Sequence, residues 1–342
     1  MIKLPEQIEI CDVTIRDGFQ NLDIFIPTEA KLYLIEELSL AGFKKIEITS
    51  LSNPKRIPQF RDAEEILKQV ERRPDVTYQV VTMNEVAVRR AIALKEKGFG
   101  PDKVVVMIST SQSHNLVNAG EKHADHWPKI KQWIRMVKES GMIFCGCIGT
   151  IFGCPIEGPV PLVRAWEFAE RFFEMGVDEI EYGDTTGEGT PDRVFQFYQE
   201  IIRRLPDVKR HIAHFHESRG WALANCVAAL QAGIARFEAS MGGLGGQPAS
   251  MVDRVPVIGT GESYTPSDLT GNVRAEDLVV LLDEMGIRTG IDIDRYLEIG
   301  RLLEKIVGRK LRSWTTSSGR IPKSPTPYLE KVKKRFAHVL NE

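Results

Sequence analysis

Several things are scarce in this chain, and each scarcity removes a class of function. The opening MIKLPEQIEICDVTIRDG has no basic stretch followed by an apolar core. No window reaches the roughly 18 uncharged apolar residues of a membrane span, so neither export nor membrane insertion is expected. There is no excess of one charge: 45 Lys and Arg stand against 47 Asp and Glu, a formal net charge of −2. Such a balance gives no field to gather a polyanion, which argues against a nucleic-acid partner. Cysteine is sparse and odd in number (Cys11, Cys145, Cys147, Cys154, Cys226). A disulfide framework is therefore not expected, and the chain reads as a cytoplasmic protein with free thiols. Cys145-Gly-Cys147 looks like half of a zinc site, but the spacing is C-x-C and no second pair follows, so buried structural thiols are the preferred reading. No GxGxxG follows the first apolar run, and the glycine-rich GGLGGQPAS has no Lys-Ser/Thr after it. A flexible loop is favoured there over a nucleotide phosphate cradle.

What is present is a repeat of short β-branched runs and longer stretches of helical period. Eight candidate strands fall at 8–14, 44–49, 76–82, 103–109, 142–150, 178–184, 211–216 and 235–240. Between them lie amphipathic segments such as 29–42, 63–73, 84–98, 161–176 and 193–205, several stopped by glycine. With 342 residues and no second compositional regime, this pattern predicts a closed (β/α)8 TIM barrel over residues 1–310 rather than an open doubly wound sheet. Residues from 240 to about 272 carry many Gly and little periodicity, and read as a long loop over the barrel mouth. Two helices, 275–286 and 294–308, follow. A basic C-terminal helical extension, 311–342, carries three Pro and reads equally as a lid, an oligomer contact or a tail.

Barrel enzymes work at the C-terminal ends of their strands. Those ends carry Asp12, Arg16 and Asp17 after the first strand, Glu47 and Thr49 on the second, Asp184 after the sixth, and His214 with His216 on the seventh. These groups are expected to converge on one rim. Two imidazoles at i and i+2 share a face only on a strand, so HFH at 214–216 offers a pair of nitrogen ligands. Asp17 would add a carboxylate, and Asn272 a carbonyl oxygen from the loop, for a divalent cation. The bland alternative is a strand-capping His beside a satisfied core His. Arg16 could simply pair with Asp12 or Glu47. Near a cation it would instead stabilise an oxygen that gains charge in a transition state.

Seven stretches in order carry a resemblance: TIRDGFQN (14–21), IEITSLSNPKRIPQF (46–60), GCPIEGPV (153–160), YGDTTGEGTP (182–191), HFHESRGWALANCVAALQAG (214–233), GGLGGQP (242–248) and TGNVRAEDLV (270–279). Together they resemble the metal-dependent pyruvate carboxyltransferase-like barrels, and within them the 3-hydroxy-3-methylglutaryl-CoA lyase branch. The resemblance implies a TIM barrel with a divalent cation, Mg or Mn first and Zn or Co as alternatives, held by Asp17, His214, His216 and Asn272. It implies Arg16, Glu47 and Asp184 as catalytic residues, with Gln20 in the site's inner shell; Arg219 and Gln247 are further candidates for substrate contact. The implied reaction is retro-Claisen cleavage of an acyl-CoA to acetyl-CoA and a keto acid, in a homo-oligomer whose partners are small acyl-CoA or hydroxy- and keto-acid substrates.

Three departures accompany the resemblance. The lyase branch carries a catalytic Cys in its glycine loop, where this chain has Gln247. An amide cannot exchange a proton as a thiol does, and Cys154 and Glu262 are the substitutes the sequence offers. The segment between Pro248 and Asn272 is longer than in the lyases. Glu217 and Arg219 stand where that branch tends to have Asp and Tyr, and Arg219 would suit a second carboxylate or a phosphate. Competing readings are a condensing acyltransferase joining an acyl-CoA to a 2-oxo acid, an aldolase acting without CoA, and a barrel that binds without catalysing.

Overall fold

Eight parallel strands close on themselves in chain order: β1 (Glu9–Asp12), β2 (Lys45–Ser50), β3 (Thr77–Thr82), β4 (Lys103–Ser109), β5 (Ile143–Gly149), β6 (Glu179–Asp184), β7 (His211–Phe215) and β8 (Arg236–Ala239). The structure, a computed structural model, describes residues 4–246, 250–252, 255–257, 271–324 and 327–340. Closure is made by β8 against β1, from Glu9 opposite Arg236 to Asp12 opposite Ala239. Each strand starts within one residue of its expected position, because β-branched runs bounded by turn residues have few other solutions.

Helices α1 (Thr28–Leu40), α2 (Ala63–Gln69), α3 (Glu85–Glu96), α4 (Gln112–Ala119), α5 (His123–Glu139), α6 (Leu162–Glu174), α7 (Pro191–Arg204) and α8 (Ala222–Gln231) connect the strands. The physical logic is plain in α7, which buries Val194, Phe197, Tyr198 and Ile201, one apolar stripe at helical spacing. Asn84 caps α3 by accepting the Ala87 N–H at 3.0 Å. Two further helices, α9 (Ala275–Glu284) and α10 (Ile293–Val307), complete the ring, and α10 ends on the left-handed Gly308.

The main core lies between strands and helices, on the outward phase of each strand. Inside the barrel the apolar content is small: Val81, Val105, Cys145, Cys147 and Ile212 form a separate cluster. Below that cluster an ionic plug fills the N-terminal end. Glu179 meets Lys103 at 2.8 Å, Arg236 at 2.6 Å and Lys45 at 3.0 Å, while Arg236 also reaches Glu9 at 2.8 Å. Removing one member of such a plug would leave an uncompensated buried charge, at a cost of about 3–5 kcal/mol. All five cysteines are free and buried, as expected.

Beyond β8 the chain makes a 3-10 turn, Met241–Gly243, then returns at 271. Between these points, the described residues include a short antiparallel pair, Ser250–Val252 with Val255–Val257, where the sequence reads as loop. On its return the chain is stitched to the barrel mouth. Glu217 N–H donates to the Gly271 carbonyl at 2.8 Å and Val273 N–H to the Phe215 carbonyl at 3.0 Å, setting Asn272 opposite His216. The start of the C-terminal extension packs behind this turn. Arg312 N–H donates to the Gly242 carbonyl at 3.2 Å, and Asp277 accepts from Ser313, Trp314 and Thr315 at 2.8–3.2 Å. That stretch is a brace rather than a free tail. In the described residues, no helix is long and apolar enough to cross a membrane.

Candidate active site

After β1 the backbone widens into a π-helical turn, Thr14–Gly18, in which Asp17 and Gly18 N–H both donate to the Val13 carbonyl at 2.8 and 3.1 Å. Such turns cluster at functional sites because they rotate side chains out of helical register. Asp12 anchors the turn from outside. Its two oxygens accept the Thr14 N–H at 2.9 Å and the Tyr296 hydroxyl at 2.8 Å. Asp12 therefore faces the helices and not the rim, since alternate residues of a strand point to opposite sides. Arg16 and Asp17, by contrast, line the cavity at the barrel mouth.

His214 and His216 face one another across that cavity, with their Nε2 atoms 3.0 Å apart. The other nitrogen of each ring is committed. His216 Nδ1–H donates to the Thr185 carbonyl at 2.7 Å, and His214 Nδ1–H to the Glu238 carboxylate at 2.9 Å. Each tautomer is thereby fixed with its Nε2 lone pair toward the other, which is the arrangement of metal-ligating histidines held by a second shell. Two such lone pairs repel unless a proton or a cation stands between them. Two nitrogens each about 2.1 Å from one ion, at right angles, would be about 3.0 Å apart. A ligand atom of Asp17 lies within 4.8 Å of both rings. Asp17 Oδ2 accepts the Asn272 amide at 2.5 Å and the Gly246 N–H at 3.2 Å. The Asn272 amide oxygen is buried and has no hydrogen-bond partner among the described residues. A carboxylate, an amide and two imidazole nitrogens brought this close together fit a divalent cation.

Charge follows geometry. Burial works to raise the Asp17 pKa, but Arg16, both histidines and the Asn272 amide outweigh it and hold the carboxylate at about 2. Burial also opposes charge on His214, yet Glu238, Glu181 and Asp17 lift its pKa to about 9. Burial and the neighbouring His214 push His216 down to about 4.

Beneath the histidines runs a chain of acids. Glu47 sits 3.4 Å from the Arg16 guanidinium, which also meets Asp17 at 3.1 Å. Gln79 donates to both Glu47 and Glu238, at 2.9 and 3.0 Å. Glu181 lies 3.7 Å from His214 Nδ1 and accepts the Cys147 thiol at 3.1 Å. Burial, with Glu238 and other carboxylates nearby, pushes Glu47 up to about 8 despite Arg16. Burial and Glu238 similarly push Glu181 up to about 7. Sequence reasoning missed Glu181, Glu238, Gln79 and Cys147. A signal existed: an acidic residue inside the apolar strands KIEIT, EIEYG and RFEA marks the inward phase as polar.

The cavity has a volume of about 470 Å3. Arg16, Asp17, Gln20, His214 and His216 all line it, together with Cys147, Glu181 and Thr185. Glu47 stands behind Arg16. Two predicted residues are placed elsewhere. Asp184 is turned to the loop that follows β6, where its oxygens accept the Glu188 and Gly189 N–H groups at 3.0 Å. Arg219 donates to the Thr186 and Gly187 carbonyls of that same loop, at 3.1 and 3.4 Å. Both hold the β6 loop instead of lining the cavity. Thr49 is buried without lining it. Cys154 is also outside the lining, its sulfur accepting the Ile156 and Glu157 N–H groups at 3.3 and 3.2 Å. Gln247 and Glu262 lie outside the described residues. Glycines let the loop after β8 close on the site. Gly245 has φ +89°, and a Cβ there would meet the Asp17 carbonyl oxygen at 2.5 Å.

A family model described as HMGL-like matches residues 7–303. The chain belongs to the HMGL-like family. Its relatives include hydroxymethylglutaryl-CoA lyase YngG of Bacillus subtilis, 34% identical over 90% of this chain and 96% of the relative. The cytoplasmic 3-hydroxy-3-methylglutaryl-CoA lyase of Danio rerio is 32% identical over 93% of this chain and 88% of the relative. Among solved structures, an HMG-CoA lyase of Acinetobacter baumannii in complex with coenzyme A and 3-methylmalate superposes with a TM-score of 0.84 at 30% identity, covering 96% of this chain and 100% of that one. The TIM barrel expected from the sequence is thus the fold of HMGL-like proteins of known structure.

Proposed function

We propose that this HMGL-like protein is a divalent-cation-dependent carbon–carbon lyase that cleaves a 3-hydroxy-3-methylglutaryl-CoA-like thioester to acetyl-CoA and a keto acid. The observation that carries this reading is the pair of Nε2 atoms 3.0 Å apart with Asp17 and the Asn272 amide beside them. Asp17, His214, His216 and Asn272 would hold the cation, Mg or Mn by preference. When bound it would supply Lewis-acid polarisation of a substrate hydroxyl and its neighbouring oxygen. Arg16 is placed to stabilise charge gathering on the thioester oxygen as the carbon–carbon bond breaks, and Glu47 fixes its guanidinium. Glu181 and the Cys147 thiol line the same floor as proton-bearing groups. Gln20 contributes an amide to the wall. Asp184 and Arg219 act at one remove, by shaping the β6 loop. Similarity to a lyase structure containing coenzyme A and a hydroxy dicarboxylate supports a thioester of that type.

The five buried free thiols support a cytoplasmic setting. A homo-oligomer is part of the same reading: Trp314, Ile321 and Tyr328 expose apolar surface on the C-terminal extension. The test is incubation of the metal-loaded protein with 3-hydroxy-3-methylglutaryl-CoA. Acetyl-CoA should appear, and chelator or Asp17→Asn should abolish it. If the protein binds the metal and cleaves no 3-hydroxyacyl thioester, the proposal is wrong.

A further inference from the structure

The carboxylates of the cavity lie at its floor, and its mouth has none among the described lining residues. Among its described lining residues the carboxylates, Asp17 and Glu181, are both buried at the floor. The exposed lining residues at the rim include Asn53, Arg56, Asn84 and Asn118, and none of these is acidic. Arg16, the other cation of the lining, is held by Asp17 and Glu47. Arg56 has no acidic partner among the described residues.

We infer that this rim is an anion-binding subsite centred on Arg56, which takes the carboxylate or phosphate oxygens at the end of the substrate remote from the reacting carbons. The inference rests on the proposed function, because it treats this cavity as the substrate site. Three features build the subsite. The backbone carrying Arg56 is fixed: Asn53 accepts the Arg56 and Ile57 N–H groups on its carbonyl at 2.9 and 3.1 Å, and the Lys55 N–H on its side-chain oxygen at 2.9 Å. With its oxygen engaged, Asn53 presents its side-chain N–H donors to the rim. Asn84, whose oxygen caps α3, does the same. A guanidinium and two amides offering N–H donors on one rim recognise an oxyanion.

Calorimetry on the full Mn-loaded chain tests this with two probes, coenzyme A and free 3-hydroxy-3-methylglutarate. Arg56→Gln should weaken at least one probe by about tenfold or more, the size expected for a lost charge-assisted hydrogen bond. Arg56→Lys should recover part of the loss, and Lys55→Gln should stay within about twofold of the parent. A loss confined to coenzyme A assigns a phosphate; a loss confined to the dicarboxylate assigns the acyl carboxylate. The inference is overturned if Arg56→Gln binds both probes as the parent does, if Lys55→Gln costs as much, or if the parent binds neither. Absence of thioester cleavage with probe binding intact would instead refute the lyase reading, so the two failures are told apart.

Discussion

Gly245→Ala puts one methyl group between the glycine loop and the proposed cation site. The alanine Cβ would stand 2.5 Å from the Asp17 carbonyl oxygen, 2.7 Å from its carbon and 2.9 Å from the Asn272 amide nitrogen. Ordinary contacts begin near 3.5 Å, so loop and π turn must separate by roughly 1 Å. The φ of +89° adds about 1 kcal/mol of backbone strain for any residue with a Cβ. Separation breaks the Gly246 N–H bond to Asp17 and pulls Asn272 off the same carboxylate. Loss of such outer partners commonly weakens metal binding by about 10–100-fold. Mn2+ titration should therefore show a loss of that size, with Tm lowered by only a few degrees. Gly98→Ala is the control, because Gly98 has φ +88° with nothing within 4 Å of its Cβ position. It should bear the strain alone and bind Mn2+ as the parent does. Parent-like Mn2+ affinity in Gly245→Ala would refute the claim that this loop closes on the site.

Three other outcomes are expected. Glu238→Gln removes the charge that His214 Nδ1–H meets at 2.9 Å and should weaken Mn2+ binding by about 10–100-fold; an unchanged titration would show that Glu238 is only a structural acid. Arg16→Gln should lower kcat by about 100–1,000-fold with metal affinity altered far less, whereas a parallel loss of both would make Arg16 a scaffold for Asp17. Burial pushes buried Glu276 up to about 8, against the hydrogen bonds it accepts from the Gly242 N–H. Its folded pKa lies above the ordinary carboxylate value of about 4.3. The stability it contributes is thus complete below that value and is lost as pH rises through 8. Tm of the parent should fall more steeply between pH 5 and 9 than that of Glu276→Gln, and parallel curves would contradict the assignment.

The sequence reveals the barrel because its alternation of β-branched runs and helical stripes has a single packing solution at this length. It also places His214 and His216 side by side, since i, i+2 histidines on a strand share a face. Asp12 and Asp184 are misread as rim groups for the same reason in reverse: each lies on the outward phase, a matter of one residue at a strand end. Glu181 and Glu238 escape notice because an acid inside an apolar strand is weighed as an exception until the barrel closes around it. Arg219 reads as a ligand for an anion, yet the β6 loop carbonyls at 3.1 and 3.4 Å take its guanidinium, and no local pattern encodes that. Asn272 is brought beside His216 by pairings between segments more than 50 residues apart, which only the folded topology sets.

The most direct test is electron paramagnetic resonance of Mn2+ added to protein labelled with 15N-histidine. One tightly held ion per chain should show coupling to two histidine nitrogens, and His214→Ala and His216→Ala should each remove one of those couplings. A stoichiometric ion with no histidine coupling, or no tight ion at all, would contradict the claim that these two imidazoles and Asp17 share one coordination sphere.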